Sequence, residues 1–113
     1  MGFDLEERAT RFAKAVIVLC KDLPRGPIND RLIDQVVGCS GSVGANYREA
    51  NDSLGRKDFL LKIKISRREA KEALHWLDLI AEANEHKVSE ITPLMTEATE
   101  LKKILSAIIN KFE

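Results

Sequence analysis

Four segments of this chain carry apolar or small residues in alternating steps of three and four, and this periodicity constrains the fold more than any other feature. A helix repeats one of its sides with that spacing, whereas a strand alternates at every second residue. The four predicted inner faces are Leu5, Ala9, Phe12, Val16, Leu19 and Leu23; Leu32, Val36, Cys39, Val43, Asn46 or Tyr47, Ala50 and Leu54; Phe59, Ile63, Ser66, Ala70, Ala73, Leu77 and Ile80; and Leu94, Ala98, Leu101, Leu105, Ile108 and Phe112. The sequence therefore predicts an all-α protein with four long helices.

Short polar or proline-containing breaks separate the four segments. They lie at residues 24–27, 51–55 and 85–87, and the first contains two prolines, which cannot continue a helical hydrogen-bond ladder. Because short connections make successive helices antiparallel neighbours, we expect an antiparallel up-down-up-down four-helix bundle. A chain of 113 residues builds one modest core, so residues 1–113 are expected to form a single domain.

Capping chemistry predicts where two of the helices begin. Asn29 or Asp30 is a suitable N-cap for the second helix, since its side-chain oxygen can accept a hydrogen bond from a free amide of the first turn. Thr92 followed by Pro93 fits an N-cap with proline at the first position of the fourth helix.

Charge and cysteine usage limit the kinds of partner. Lys plus Arg equals Asp plus Glu, at 18 each, so any contact with a polyanion has to be local. Cys20 and Cys39 lie in apolar runs without metal-binding spacing, as reduced core residues of a cytosolic protein do. No segment reaches the ~18 apolar residues of a membrane helix, and the N-terminus has no signal-peptide pattern. We expect a soluble cytoplasmic protein with no membrane partner.

The middle of the second helix is unusually rich in small residues. Gly38, Gly41 and Gly44 repeat every third residue, but the preceding strand and the Gly-Lys-Ser/Thr ending of a phosphate-binding loop are missing. Glycine inside a helix costs up to about 1 kcal/mol relative to alanine, so the three glycines indicate close approach of another backbone. We expect this segment to be surrounded.

Ile65 and Trp76 of the third helix lie outside its inner face on a helical wheel. Aromatic residues are enriched at the cores of subunit interfaces, so we expect both residues in the interface of a homo-oligomer. An indole that lies on the surface of a monomer stays open as the alternative.

A basic stripe follows the outward side of the third helix. Its members are Arg56, Lys57, Lys64, Arg67, Arg68 and Lys71. One interpretation is a solvated face balanced by neighbouring acids. The other is a nucleic-acid contact, since symmetry would extend the stripe into a continuous belt around a ring. No aromatic residue interleaves with the stripe, so this second interpretation predicts sequence-indifferent contacts with phosphates.

Polar residues of the second and third helices also admit two interpretations. Asn46, Arg48, Glu49, Glu69 and Glu72 form either a solvated surface or a charge-paired network between these helices or between subunits.

Glu72 and His75 have the Glu-x-x-His spacing of half a di-iron carboxylate site. The complete site needs a second such pair and two further glutamates, and the only other histidine is His86. His75 also lies almost opposite the inner face of its helix. We therefore expect no metal and no cofactor. Because no nucleophile is paired with a base, we expect no enzymatic activity.

The central part of the chain carries a family resemblance. The run GSVGANYREA at residues 41–50 and RKDF at residues 56–59 are followed by Lys64-Ile65, Glu69-Ala70, Glu72 and Trp76-Leu77. In type and order these residues resemble the four-helix bundle family of 23S rRNA intervening-sequence proteins, and the similarity extends from Leu32 to Ile80. The chain departs from that pattern at Gly38-Cys39, where the family commonly has Arg-Ser, so any role of that arginine is absent.

The resemblance implies a bacterial cytoplasmic bundle that assembles as a homopentameric ring. The family takes its name from genes inside insertions in ribosomal RNA genes. It is similar to the accessory protein of diversity-generating retroelements, a basic pentamer associated with nucleic acid and reverse transcriptase. We therefore expect a non-catalytic scaffold that associates with itself and with RNA, DNA or a nucleic-acid enzyme. A scaffold for another protein stays open, and a metal-binding carboxylate bundle is the remote alternative.

Overall fold

A computed structural model describes the backbone of residues 2–113 and the side chains of residues 5–113. Its helices are α1 (Gly2–Lys21), α2 (Pro27–Asn51), α3 (Arg56–Ala83) and α4 (Val88–Phe112), and a short 3-10 helix (Glu85–Lys87) precedes α4. Residues 2–113 contain no strand. The predicted all-α fold with four helices is confirmed.

Contacts near the helix ends show that neighbouring helices are antiparallel. Glu49, near the end of α2, forms an ion pair of 2.9 Å with Lys62, near the start of α3. Arg56 at the start of α3 donates hydrogen bonds to a backbone carbonyl at the end of α4. The most extensive packing joins α3 to α2 and α4, while α1 and α4 share the smallest interface. The bundle measures 44 × 21 × 20 Å.

Most of the predicted inner-face residues form one continuous core. Tyr47, rather than Asn46, takes the buried position of its turn, at 4% exposure. Leu54 is wrong as a core residue, because α2 ends at Asn51 and Leu54 lies fully exposed in the following loop. Phe112 is also more exposed than predicted, at 42%. The inner-face residues that are half-buried are Leu32, Phe59, Leu94 and Ile108.

Helix α2 begins earlier than predicted, so neither Asn29 nor Asp30 is its N-cap. Gly26 takes the N-cap position, and Pro27 lies in the first turn, where its missing amide hydrogen would have no helical partner in any case. The Asp30 carboxylate instead accepts a hydrogen bond from the Arg25 guanidinium.

Helix α4 also begins earlier, at Val88, so Thr92 and Pro93 lie inside it and do not start it. Ile91 is fully buried, which continues the inner face of α4 before the proline. Pro93 cannot donate a hydrogen bond to the carbonyl of Ser89, but both residues lie on the exposed side of α4, and the helix continues past them. The Thr92 hydroxyl donates to the Val88 carbonyl at 2.9 Å.

A buried pair of asparagines joins the start of α2 to the end of α3. The side-chain amides of Asn29 and Asn84 exchange two hydrogen bonds of 2.9 Å. Asn84 also donates to the Ile80 carbonyl, and Asn29 donates to the Pro24 carbonyl. Both amides are therefore buried with hydrogen-bond partners, which avoids the cost of burying an unpaired polar group.

Close approach to another helix occurs at one of the three glycines of α2. A Cβ added at Gly44 would lie 3.3 Å from the Cβ of Ala9 in α1. Gly38 and Gly41 are exposed, and a Cβ at either would meet no atom within 4 Å. Within one chain, the prediction of a surrounded segment is therefore right at Gly44 and wrong at the other two glycines.

Candidate functional site

A groove between α3 and α4 collects five basic side chains. Four of them come from α3 and the fifth, Lys102, comes from α4. The groove encloses about 550 Å³, and none of its lining residues in the described part of the chain is acidic. The lining residues are Leu61, Lys64, Ile65, Arg67, Arg68, Lys71, Lys102 and Ser106.

Few of these cations are neutralised inside the chain. Lys64 forms an ion pair of 2.8 Å with Glu113, and this hydrogen bond lowers the pKa of the Glu113 carboxyl. Arg67 donates to the Ser106 hydroxyl at 3.4 Å. The other three cations, Arg68, Lys71 and Lys102, form no salt bridge with any residue from 5 to 113. The groove is therefore a local concentration of positive charge on a chain whose formal net charge is zero.

The predicted basic stripe is divided between this groove and the adjoining end of the bundle. Lys64, Arg67, Arg68 and Lys71 line the groove, but Arg56 and Lys57 do not. Arg56 donates to the backbone carbonyls of Phe112 and Glu113 and so holds the end of α4. Lys57 lines an apolar hollow of about 760 Å³, which shares Leu61 and Lys64 with the groove. The two depressions therefore adjoin along α3.

Sequence reasoning missed Lys102, because it considered each helix separately. Lys102 follows the buried Leu101 directly in α4, and antiparallel packing places this side of α4 beside the basic side of α3. The sequence signal for Lys102 is its position beside the inner face of α4. This position points to the groove only when the neighbouring helix is known.

The predicted polar network does not form as one unit. Arg48 reaches α1, where it contacts Glu6 at 2.8 Å and Thr10 at 3.1 Å. Asn46 donates to the Ser42 carbonyl of its own helix. Of the five residues, Glu49 alone makes an ion pair between α2 and α3 in the part of the chain whose side chains are described, through Lys62. Since exposed ion pairs contribute little, these contacts orient the helices more than they stabilise them.

Glu69 and Glu72 meet the thiol of Cys39 instead of a cation. The sulfur lies 3.7 Å from the nearer Glu72 oxygen, and ligand atoms of all three residues lie within 4.8 Å of one another. Burial first, and then the charges of both glutamates, raise the pKa of Cys39 to about 11. A thiolate with two carboxylates is a donor set that Zn²⁺ accepts. Among the described residues it is the one cluster of potential metal ligands with three or more members.

The two residues with the Glu-x-x-His spacing, Glu72 and His75, lie in different environments. Glu72 faces Cys39, whereas the exposed His75 ring packs edge-on against Trp76 at a centroid distance of 5.0 Å. His86 lies in the 3-10 helix and is exposed. The histidines therefore do not join the glutamates in one constellation.

Ile65 and Trp76 are both half-buried and share one face of α3, since eleven residues correspond to about three helical turns. Trp76 packs against the core, while Ile65 lies in the basic groove. Two exposed leucines lie on the same face, Leu61 at 55% and Leu79 at 38%. The two predicted interface residues thus belong to one face of α3, which we call its apolar face. This face also carries the acidic residues Asp58, Glu69 and Glu72, and it overlaps the basic groove at Leu61 and Ile65.

None of the helices in the described part of the chain combines the length and the apolar character that crossing a membrane requires.

Comparisons with known proteins identify the relatives of this chain. No curated protein matches it. A solved structure, described as a protein of unknown function from the S23 ribosomal protein family of Bacteroides thetaiotaomicron VPI-5482, is similar over 93% of this chain and 97% of its own, with 28% identity and a TM-score of 0.81. The family model described as 23S rRNA-intervening sequence protein matches residues 3–107. Since that match spans nearly the whole chain, the protein belongs to the 23S rRNA-intervening sequence protein family.

Proposed function

We propose that this protein is a non-catalytic, homo-oligomeric scaffold that binds the phosphate backbone of nucleic acid through the groove between α3 and α4. The observation that carries the proposal is the set of five cations on one groove that no carboxylate of the described residues lines. Four of the five form no salt bridge with any residue from 5 to 113, and these are Arg67, Arg68, Lys71 and Lys102.

Local charge is the relevant quantity for such binding. Each cation that contacts a phosphate releases condensed counterions, so affinity depends steeply on salt and grows with the number of contacts. A neutral chain gives no long-range attraction, and the groove therefore has to supply the contacts itself. Resemblance to the family suggests a pentameric ring. In such a ring the groove would be repeated once per subunit, and the contacts with phosphates would act together.

RNA is the nucleic acid that the comparisons favour. The matching family is named for 23S rRNA, and the solved relative is described as coming from a ribosomal protein family. DNA or a nucleic-acid enzyme remains within the proposal, because phosphate contacts do not read sequence. The proposal places the protein in the cytoplasm, which agrees with the two free thiols of Cys20 and Cys39.

A charge-matched pair of variants tests the groove. Arg68→Ala with Lys71→Ala removes two groove cations. Lys14→Ala with Arg31→Ala removes two exposed cations of α1 and α2 that form no ion pair with any residue from 5 to 113. Binding of labelled structured RNA and duplex DNA is measured by gel shift and anisotropy across a salt series. We expect the groove variant to bind about tenfold more weakly, with a salt slope smaller by roughly 0.7 to 0.9 for each phosphate that the protein no longer neutralises.

The control variant should bind like the wild type, because its two cations lie outside the groove, and its net charge matches that of the groove variant. Equal weakening in the two variants would show that the attraction is not localised in the groove. If the wild type binds neither probe at about 50 mM salt, where phosphate contacts are strong, nucleic-acid binding is refuted.

A second candidate function, a scaffold for protein partners, is favoured by the apolar face of α3. Leu61, Ile65, Trp76 and Leu79 lie on one side of this helix, and two of them are exposed leucines. A face of this composition resembles the core of a subunit interface. Leu61 and Ile65 also line the basic groove, so a partner bound across the whole face would cover part of that groove.

A further inference from the structure

A hollow at one end of the bundle places two phenylalanine rings beside the basic groove. Phe59 of α3 and Phe112 of α4 pack edge to face, with centroids 5.5 Å apart. They line a depression of about 470 Å³ that also includes residues of the loop between α2 and α3. We call this depression the aromatic hollow. It is lined by Ala50, Asn51, Ser53, Leu54, Gly55, Arg56, Phe59 and Phe112.

Two large apolar side chains of the aromatic hollow are exposed to solvent. Phe112 is 42% exposed, and the neighbouring Leu54 is fully exposed. Lys111 lies 5.6 Å from the centroid of the Phe112 ring. An exposed aromatic ring offers a surface on which a planar ligand can stack, and the Lys111 ammonium adds a positive charge beside it.

Polar groups in the aromatic hollow could orient such a ligand. The side-chain nitrogen of Asn51 donates a hydrogen bond to the Glu6 carboxylate. The side-chain oxygen of Asn51 accepts no hydrogen bond from residues 5–113. Arg56 brings a positive charge to the wall, and no carboxylate lines the aromatic hollow in the described part of the chain. Aromatic, amide and guanidinium groups together are a set that recognises nucleobases.

The aromatic hollow and the groove are linked by a chain of shared lining residues. It shares Gly55 and Arg56 with the apolar hollow, which in turn shares Leu61 and Lys64 with the groove. From Arg56 to Lys71, α3 is about 22 Å long at 1.5 Å per residue. One strand can therefore lie along the basic side chains of α3 and reach the phenylalanines at its end.

We propose that the aromatic hollow binds an unpaired nucleobase by stacking on Phe112, so that the protein prefers single-stranded nucleic acid to duplex. In a duplex the bases are stacked inside and only their edges face the grooves, whereas an unpaired base offers a free face. This inference rests on the proposed function, because the phosphates of the same strand occupy the groove.

The test compares Phe112→Ala, Phe112→Leu and Phe112→Tyr on a labelled single strand and a blunt duplex of the same length. Loss of one base stack weakens binding about tenfold, so we expect that loss for the alanine and leucine variants on the single strand. Tyrosine keeps the ring and should bind like the wild type. Duplex binding should be the same in all four proteins. Leucine preserves apolar packing on Phe59, and circular dichroism confirms that each variant is folded.

The possible failures are distinguishable. If the wild type binds no probe, the proposed function fails and this inference fails with it. If binding depends on the groove cations but Phe112→Ala binds the single strand as tightly as the wild type, this inference alone is wrong. Binding of poly-glutamate as tight as that of the single strand, and weakened to the same extent by Phe112→Ala, would assign the aromatic hollow to acidic peptides and overturn this inference as well.

Discussion

The two cysteines of this protein have similar acidity for different reasons. Burial alone raises the pKa of Cys20 to about 11. For Cys39, burial is again the largest cause, but the negative charges of Glu69 and Glu72 add to it and bring its pKa to about 11. Both thiols therefore stay protonated at neutral pH, and nucleophilic reactions that need the thiolate are slow.

Removing one carboxylate should make the pKa values of Cys39 and Cys20 differ. Glu72→Gln deletes a negative charge beside Cys39, which favours the thiolate, so we expect the alkylation midpoint of Cys39 to move to lower pH. Cys20 has no such neighbour among the causes of its shift and serves as the internal control. Alkylation rates of both cysteines are followed by mass spectrometry between pH 7 and the alkaline limit of folding. An unchanged Cys39 midpoint would show that burial alone sets its acidity.

At the scale of the helix, the two glycines Gly41 and Gly44 give opposite expectations for one substitution. Gly41→Ala adds a methyl group that meets no atom within 4 Å, so it should raise the free energy of unfolding by up to about 1 kcal/mol. Gly44→Ala places a methyl group 3.3 Å from the Cβ of Ala9, and α1 has to move to accept it.

We expect Gly44→Ala to be at least about 1 kcal/mol less stable than Gly41→Ala, measured by urea unfolding. The two variants have the same composition, so each is the control for the other. If Gly41→Ala is less stable than the wild type, the exposed side of α2 packs against something outside the chain, as a subunit interface would require.

Much of the helical architecture could be predicted from the sequence, because a buried helical face repeats with a fixed period. The first residues of the helices could not be predicted, since they depend on which residues before the expected cap are buried in the core. Ile91 is fully buried and extends α4 ahead of Pro93, so capping chemistry gave the wrong start. Leu54 fits the period of α2 but lies in the loop, because the helix ends at Asn51.

The candidate site was only partly predictable. Periodicity places the α3 cations on one side of the helix, but it cannot show that Lys102 faces them from α4. It also cannot show that Phe112 leaves the inner face and joins Phe59 in an open depression. Both features depend on how two helices meet, which no single-helix pattern contains.

At the scale of the whole molecule, the apolar face of α3 predicts self-association. Trp76→Ala should weaken the oligomer, because the indole supplies the largest apolar side chain on that face. Light scattering at low micromolar concentration measures the mass, and an unchanged mass would contradict the prediction. Since Trp76 also packs against the core, the exposed Leu79→Ser serves as a second interface variant. Leu54→Ala, in a loop away from this face, is the control.

The asparagine pair at the end of the bundle has a consequence for how α2 and α3 align during folding. Heptad-like inner faces tolerate displacement of one helix along the other by about two turns, because leucine-like residues meet equivalent partners again. Such a displacement would separate Asn29 from Asn84 and leave the buried side-chain carbonyl oxygen of each without a donor, at a cost of about 1–3 kcal/mol each. The pair thus discriminates against misaligned hairpins and fixes the lengthwise position of α3 relative to α2.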